Sequence, residues 1–200
     1  MARKKHAELC HDYLEEMKAD YEACQEQRKD ANEDFRFMMV PGAQWEDWLD
    51  RKYDNRARLE VDFCADSVNA YMADWTDNRV AVKYSPDGRD TTEDDSELLQ
   101  GLYRRDFRRN GGRLAVDNAV FEAAICGVGA FRIGTEDQDK EDPENNDQHV
   151  VWSPIYEAHN CVIWDMGSSK KTKEDAWHVN VLEEFDPKTL AKQFPKAKDP

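Results

Sequence analysis

The sequence has no long apolar run and no closely spaced pair of cysteines. No stretch approaches the roughly 20 apolar residues that a membrane-spanning helix needs, so we expect no contact with a membrane. The N-terminal MARKKH is followed at once by acidic residues instead of an apolar core, so we expect no secretory signal. The five cysteines are odd in number and widely spaced, which favours reduced thiols over a zinc ribbon or a disulfide scaffold.

Positive charge is scarce, because 28 basic residues face 43 acidic ones and leave a formal charge of −15. Such a surface repels nucleic acid over any broad face, although a local basic patch can still touch DNA. Six Trp, seven Tyr and eight Phe are too many for a disordered chain. The length of 200 residues is enough for one or two domains with a hydrophobic core.

Apolar periodicity predicts helices first and strands afterwards, which is an α+β fold. The predicted helices cover residues 6–32, 56–74, 91–110 and 113–126, and a last helix that Asp186 caps. The predicted strands cover residues 80–84, 130–134, 149–152, 161–164 and 177–182. We therefore divide the chain into a helical region over 1–78 and an α+β region over 79–200.

No cluster of side chains has a convincing catalytic or ligand-binding arrangement, so we predict no enzyme, no metal and no cofactor. His6, Cys10 and His11 lie close on one helix but lack further ligands. The acids within residues 93–97 suit the first turn of a helix, where they complement its dipole, and a carboxylate-metal nuclease is the alternative. The GVG at 127–129 follows a helix and precedes a strand, the reverse of the dinucleotide-binding order, so it predicts a tight turn.

The predicted helix over 91–110 has an apolar half and a basic half. Four arginines gather on the basic half, namely Arg104, Arg105, Arg108 and Arg109. Asp106 lies within the apolar half, so we expect it to accept hydrogen bonds from an Arg or from backbone N–H groups on another element. The arginines can meet phosphate or the acids of a neighbouring subunit, and the overall negative charge favours the second.

Short motifs over residues 44–178 follow one another in the order of a known protein family. The motifs are QW-x-DWL from Gln44, Y-x-P-x-G from Tyr84, YR-x-D-x-R-x-N from Tyr103, GVGA-x-R from Gly127, PI from Pro154, VIWD from Val162 and DA-x-H from Asp175. With these motifs the chain resembles the N-terminal part of the portal proteins of short-tailed, double-stranded-DNA bacteriophages. The candidate structural and interface residues are Trp45, Trp48, Arg104, Asp106, Arg108, Arg109, Arg132, Trp164 and Asp165.

The resemblance implies a structural protein, the head-to-tail connector. Portal proteins of this family form a twelve-fold ring at one vertex of the capsid, and double-stranded DNA is packaged and ejected through it without sequence-specific binding. The N-terminal portion belongs to the wing, whereas stem, clip and barrel are absent from this chain. Capsid and scaffolding proteins are implied as partners, with terminase and tail adaptor binding through the missing parts.

The implied location is the portal vertex of the virion, after assembly in the cytoplasm of the bacterial host. The alternative is a free-standing acidic protein that mimics DNA or binds other proteins, which would need acids in rows at phosphate-like spacing.

Overall fold

The computed structural model describes residues 2–43, 45, 61–88, 91–139 and 147–194. The helices in these ranges are α1 (Ala2–Ala23), α2 (Gln25–Met39), α3 (Phe63–Asp77), α4 (Glu93–Arg109), α5 (Gly112–Cys126), α6 (Ala158–Cys161) and α7 (Pro187–Gln193). The strands are β1 (Ala130–Asp137), β2 (Gln148–Ile155), β3 (Val162–Trp164) and β4 (Val179–Val181). Antiparallel pairing of β1 with β2 and of β3 with β4 gives two small sheets. The predicted α+β fold is confirmed.

The N-terminal helix that was predicted as one element is two helices. α1 ends at Ala23, Cys24 forms a turn, and α2 runs from Gln25 past the predicted end to Met39. The Cys24 N–H still donates to the Asp20 carbonyl at 3.1 Å, so the break leaves that hydrogen bond of α1 intact. No Gly or Pro marks the position, which is why periodicity alone did not reveal it.

Side-chain caps fix the beginnings of three helices. The Asp62 carboxylate accepts from the Ala65 N–H at the start of α3, and Asp186 accepts from the Lys188 N–H at the start of α7. Thr92 and Asp95 form a reciprocal capping box at the start of α4. The cap expected at Asp186 is therefore present, and each of these caps satisfies an N–H group that the first helical turn leaves unpaired.

The strand predicted over residues 80–84 is wrong. No strand of the described ranges pairs with this segment. Instead, the Gln100 side chain on α4 bonds to it: Nε2 donates to the Val82 carbonyl at 2.8 Å, and Oε1 accepts from the Tyr84 N–H at 3.1 Å. Alternating side chains indicate a half-buried extended segment, but a strand also requires a second backbone, which alternation cannot supply.

The remaining strands lie where the sequence predicted them, with shifted ends. β1 and β2 form a hairpin with Ala130 opposite Ile155 and Asp137 opposite Gln148, so both strands are longer than expected. β1 continues to Asp137, past the predicted end at residue 134.

Two compact units divide the chain. We call residues 1–25 with 161–200 the terminal unit, and residues 26–160 the central unit. In the central unit α5 packs against α3, α4, β1 and β2, and in the terminal unit α1 packs against β3. The boundary at residue 78 that the sequence suggested stays a prediction about domain organisation.

The buried apolar core of the described ranges is small. Its members are Ala31, Ala115, Ala119, Trp152, Ala158, Val162 and Ile163. Many large apolar side chains are exposed, among them Phe63, Val80 and Trp177. Apolar exposure on this scale is typical of a chain that buries surface against other parts of an assembly. Within the described ranges, no helix has an apolar stretch long enough to cross a bilayer.

Candidate functional site

An aromatic cluster joins α4 to β2 in the central unit. The ring centroids of Tyr103 and Phe107 are 5.5 Å apart, and each ring meets Trp152 edge-on, at 6.2 and 5.7 Å respectively. Tyr84 extends the cluster, with its ring 6.1 Å from Tyr103. These four rings lie along a mainly apolar groove of about 510 Å³ between α4 and the β1–β2 hairpin.

Asp106 lines the same groove, as its position in the apolar half of the helix predicted. Its side chain is only 13% exposed and accepts a hydrogen bond from Arg105 Nε at 2.7 Å. The partner is an arginine, but it lies on the same helix and not on another element. The Arg105 side chain therefore reaches from the basic half of α4 to the carboxylate, which keeps the buried charge paired.

The arginines of α4 form an exposed basic face. Arg104, Arg108 and Arg109 are exposed, and no described ion pair involves any of them. Arg105 is bound to Asp106, and Arg113 lies 3.9 Å from the Asp117 carboxylate. Three guanidinium groups thus remain available to a partner that carries acidic groups.

A buried carboxylate that sequence reasoning missed lies on α5. Glu122 is 4% exposed, and its two oxygens accept from the backbone N–H groups of Glu157 and Ala158 at 2.9 and 2.8 Å. Asn118 Nδ2 donates to it as well, at 3.1 Å. Glu122 therefore satisfies N–H groups at the start of α6, which follows β2. The sequence feature that could have indicated this buried carboxylate is that Glu122 is a single acid within the apolar run 119–126.

A second missed carboxylate connects α3 to α5. Asp117 accepts hydrogen bonds from Arg79 at 2.7 Å and from Trp75 Nε1 at 3.0 Å. Burial alone raises the pKa of Asp117, but the hydrogen bonds from Arg79 and Trp75 outweigh burial and leave the pKa below its usual value. The end of α3 and the segment after it are thereby fixed to α5.

In the terminal unit, Asp165 and Asp175 organise the loop between β3 and β4. Asp165 accepts from the N–H groups of Gly167 and Trp177, at 2.7 and 3.0 Å. Asp175 accepts from both the backbone and the side chain of Ser169, and these contacts and others lower the pKa of its carboxyl group strongly, the Ser168 hydroxyl being the largest cause. Asp165, a candidate from the sequence, therefore connects two backbone N–H groups of this loop, and its role in an interface stays a prediction.

Asp20, Asp165 and His178 also come together in the terminal unit, with ligand-type atoms within 4.8 Å of one another. His178 Nε2 and Asp20 Oδ2 are 2.7 Å apart, which is hydrogen-bonding distance. A shared tetrahedral ion at about 2.1 Å from each atom would hold them about 3.4 Å apart. The geometry is that of a hydrogen-bonded pair, and the hydrogen bond from His178 to Asp20 raises the pKa of the imidazole.

The other sequence candidates lie apart from these clusters. Trp45 is half-buried, and its backbone N–H donates to the Gly42 carbonyl. Trp48 lies outside the described residues. Arg132 is exposed on β1, and Trp164 is half-buried on β3. Arg132 and Trp164 thus lie in strands, and an interface role for these candidates stays a prediction.

The turn at residues 127–129 has the geometry that the sequence indicated. Gly127 caps α5 in the left-handed region with φ 75°, where a glycine avoids a steric cost. At Gly129 an added Cβ would collide with the Ala119 carbonyl of α5. Gly127 therefore allows the chain to turn at the end of α5, and Gly129 allows the following backbone to lie close to α5. The two glycines do not form a phosphate site.

The profile of the family described as "Phage P22-like portal protein" matches residues 14–200. The chain belongs to this portal protein family. A curated relative, the portal protein of Acyrthosiphon pisum secondary endosymbiont phage 1, is 30% identical over 147 residues. That alignment covers 70% of this chain and 20% of the relative, so the chain matches about a fifth of the relative's length. The resemblance inferred from the short motifs is confirmed.

Proposed function

We propose that this chain is the N-terminal wing portion of a portal subunit, which forms a ring of twelve copies at one capsid vertex. The family match over residues 14–200 carries this proposal. Double-stranded DNA passes through the ring during packaging and ejection. Capsid and scaffolding proteins bind the ring, and terminase and tail adaptor bind parts of the subunit outside this chain.

The surface chemistry supports a structural role without catalysis. The acids at the start of α4, which could suggest a metal nuclease, fill the first turn, and Asp95 is part of the capping box there. A net charge of −15 repels DNA phosphates, so DNA can pass near such a surface without adhering. The exposed arginine face of α4 is positively charged, in contrast to the negative charge of the chain as a whole. This positive charge favours contact with an acidic neighbouring subunit.

The test is to express the full-length polypeptide that contains this chain and to count its subunits by electron microscopy and mass measurement. We expect a closed ring of twelve copies. A full-length protein that remains monomeric at every salt and protein concentration would contradict the proposal. The 200-residue chain alone should be a monomer or a weak oligomer, because its like charges repel and the remaining parts of the subunit interface are missing.

A further inference from the structure

The segment of residues 79–85, which we call the open segment, has one unpaired backbone edge. The Val82 carbonyl and the Tyr84 N–H both bond to the Gln100 side chain, as the groups of alternate residues do in an extended chain. The backbone groups of Ala81 and Lys83 therefore point away from Gln100. Among the described residues, no hydrogen bond involves the backbone N–H or C=O groups of Ala81 or Lys83.

The outer edge of β1 is unpaired in the same way. On β2, the Trp152 N–H and the Val150 carbonyl bond to Asn110, at 2.9 and 2.8 Å, so they point away from β1. Ile133 and Thr135 lie opposite these two residues in the register. They therefore belong to non-hydrogen-bonded pairs of the ladder, in which the backbone groups of both residues point outward. No third strand of the described ranges covers this edge.

Both edges combine free backbone groups with exposed β-branched side chains. Val80 in the open segment is 79% exposed, and Ile133 on β1 is 59% exposed. An uncovered edge of this kind is a template for pairing with another chain, and soluble proteins usually protect it by charge, proline or a covering element. The exposure of both edges on one chain indicates that an assembly covers them.

We propose that the open segment of one copy of this chain pairs with the outer edge of β1 in a second copy. The proposal rests on the portal ring proposed above, because a ring requires that two different patches of each subunit meet. The two edges are such a pair of patches, since each offers N–H and C=O groups at every second residue. Lys83 in the open segment and the acidic end of β1, Glu136 and Asp137, add opposite charges.

Hydrogen exchange of single backbone amides tests this pairing. The amides of Lys83 and Ile133 are compared in the assembled ring and in the unassembled subunit of the full-length protein. We expect both amides to exchange at least about 100-fold more slowly in the ring than in the unassembled subunit. The Tyr84 amide, which donates to Gln100, is an internal reference.

Three outcomes would overturn the pairing. Fast exchange of Lys83 and Ile133 within an intact ring would refute it while leaving the portal function standing. Slow exchange already in the unassembled subunit would show that another segment of the same polypeptide covers the edges. The absence of any ring would remove the proposed function as well as this contact.

Proline substitution gives an independent test, because proline removes one outward N–H group and leaves the inner hydrogen bonds in place. Lys83→Pro and Ile133→Pro should each raise the subunit concentration for half-assembly about tenfold or more. The matched controls Lys83→Ala and Ile133→Ala keep the N–H groups and should assemble more readily than the proline variants. Equal assembly of proline and alanine variants, with equal circular dichroism spectra, would contradict the proposal.

Discussion

At the residue scale, Glu122 is a buried acid that joins two elements and whose role was not predicted from the sequence. It is buried on α5, and its carboxylate accepts hydrogen bonds from two backbone N–H groups at the start of α6. Asp106, the acid that did attract attention, is paired with its neighbour Arg105 and lies at a groove. The difference arises because hydrogen bonds to a distant backbone depend on the tertiary structure, whereas helical position can be read from spacing.

Glu122→Gln should lower the free energy of unfolding by about 2–3 kcal/mol. The amide keeps the size of the side chain but places an NH₂ group against backbone N–H donors, which leaves one donor unsatisfied. Urea denaturation measures the change. Glu97→Gln on the exposed surface of α4 is the matched control and should stay within about 0.5 kcal/mol of the unmodified protein. Equal effects of the two substitutions would show that the Glu122 contacts contribute little.

The His178–Asp20 pair predicts a pH dependence of stability. The hydrogen bond to Asp20 raises the pKa of His178 in the folded state, so the folded state binds the proton more tightly than the unfolded state. The resulting stabilisation is complete below the unfolded pKa of about 6.5 and is lost as pH rises through the higher folded pKa. We expect a higher Tm at about pH 6 than at about pH 8.5.

His178→Gln is the control for this pH dependence. It removes the titrating group and should reduce the Tm difference between the two pH values. The carboxyl groups of Asp117, Asp165 and Asp175 have lowered pKa values and remain ionised throughout this range. An unchanged difference in His178→Gln would mean that the imidazole is not the responsible group.

At the element scale, the turn between α5 and β1 depends on two glycines for different reasons. Gly129→Ala should destabilise the protein by about 1–3 kcal/mol, because its Cβ would collide with the Ala119 carbonyl. Gly127→Ala should cost about 1–2 kcal/mol through its left-handed conformation. Thermal or urea unfolding measures both changes.

Gly134→Ala in β1 is the control for the turn, because nothing lies within 4 Å of its added Cβ. It should leave stability within about 0.5 kcal/mol of the unmodified protein. If Gly129→Ala were equally neutral, the close approach of β1 to α5 would not be a structural requirement.

The elements whose signals are local were predicted well. Asp186 marked the start of a helix correctly, and the acids within residues 93–97 begin α4 as expected, because capping and helix-dipole signals depend on residues within one turn. The prediction of a strand over residues 80–84 was wrong, and the break between α1 and α2 at Cys24 was not predicted. Strand formation requires a partner that is distant in sequence, and the break in the first helix has no marker in local propensity.

At the scale of the whole molecule, the absence of catalysis is testable. The proposed portal role predicts no magnesium-dependent DNA cleavage and no ATP hydrolysis by this chain or by the full-length protein. Gel assays with double-stranded DNA and a phosphate-release assay measure the two activities. Cleavage that disappears in the double variant Asp94→Asn with Asp95→Asn would instead support the nuclease alternative.

The α+β class, most helix positions and, through short motifs in order, the portal family could be predicted from the sequence alone. These properties depend on periodicity, capping and residue identity, all of which are local or linear. The tertiary structure was needed to show that the carboxylates of Glu122 and Asp117 join elements, and that Asp20 meets His178. It also decided which backbone edges stay open, because the direction of an N–H group becomes meaningful only when its neighbours in space are known.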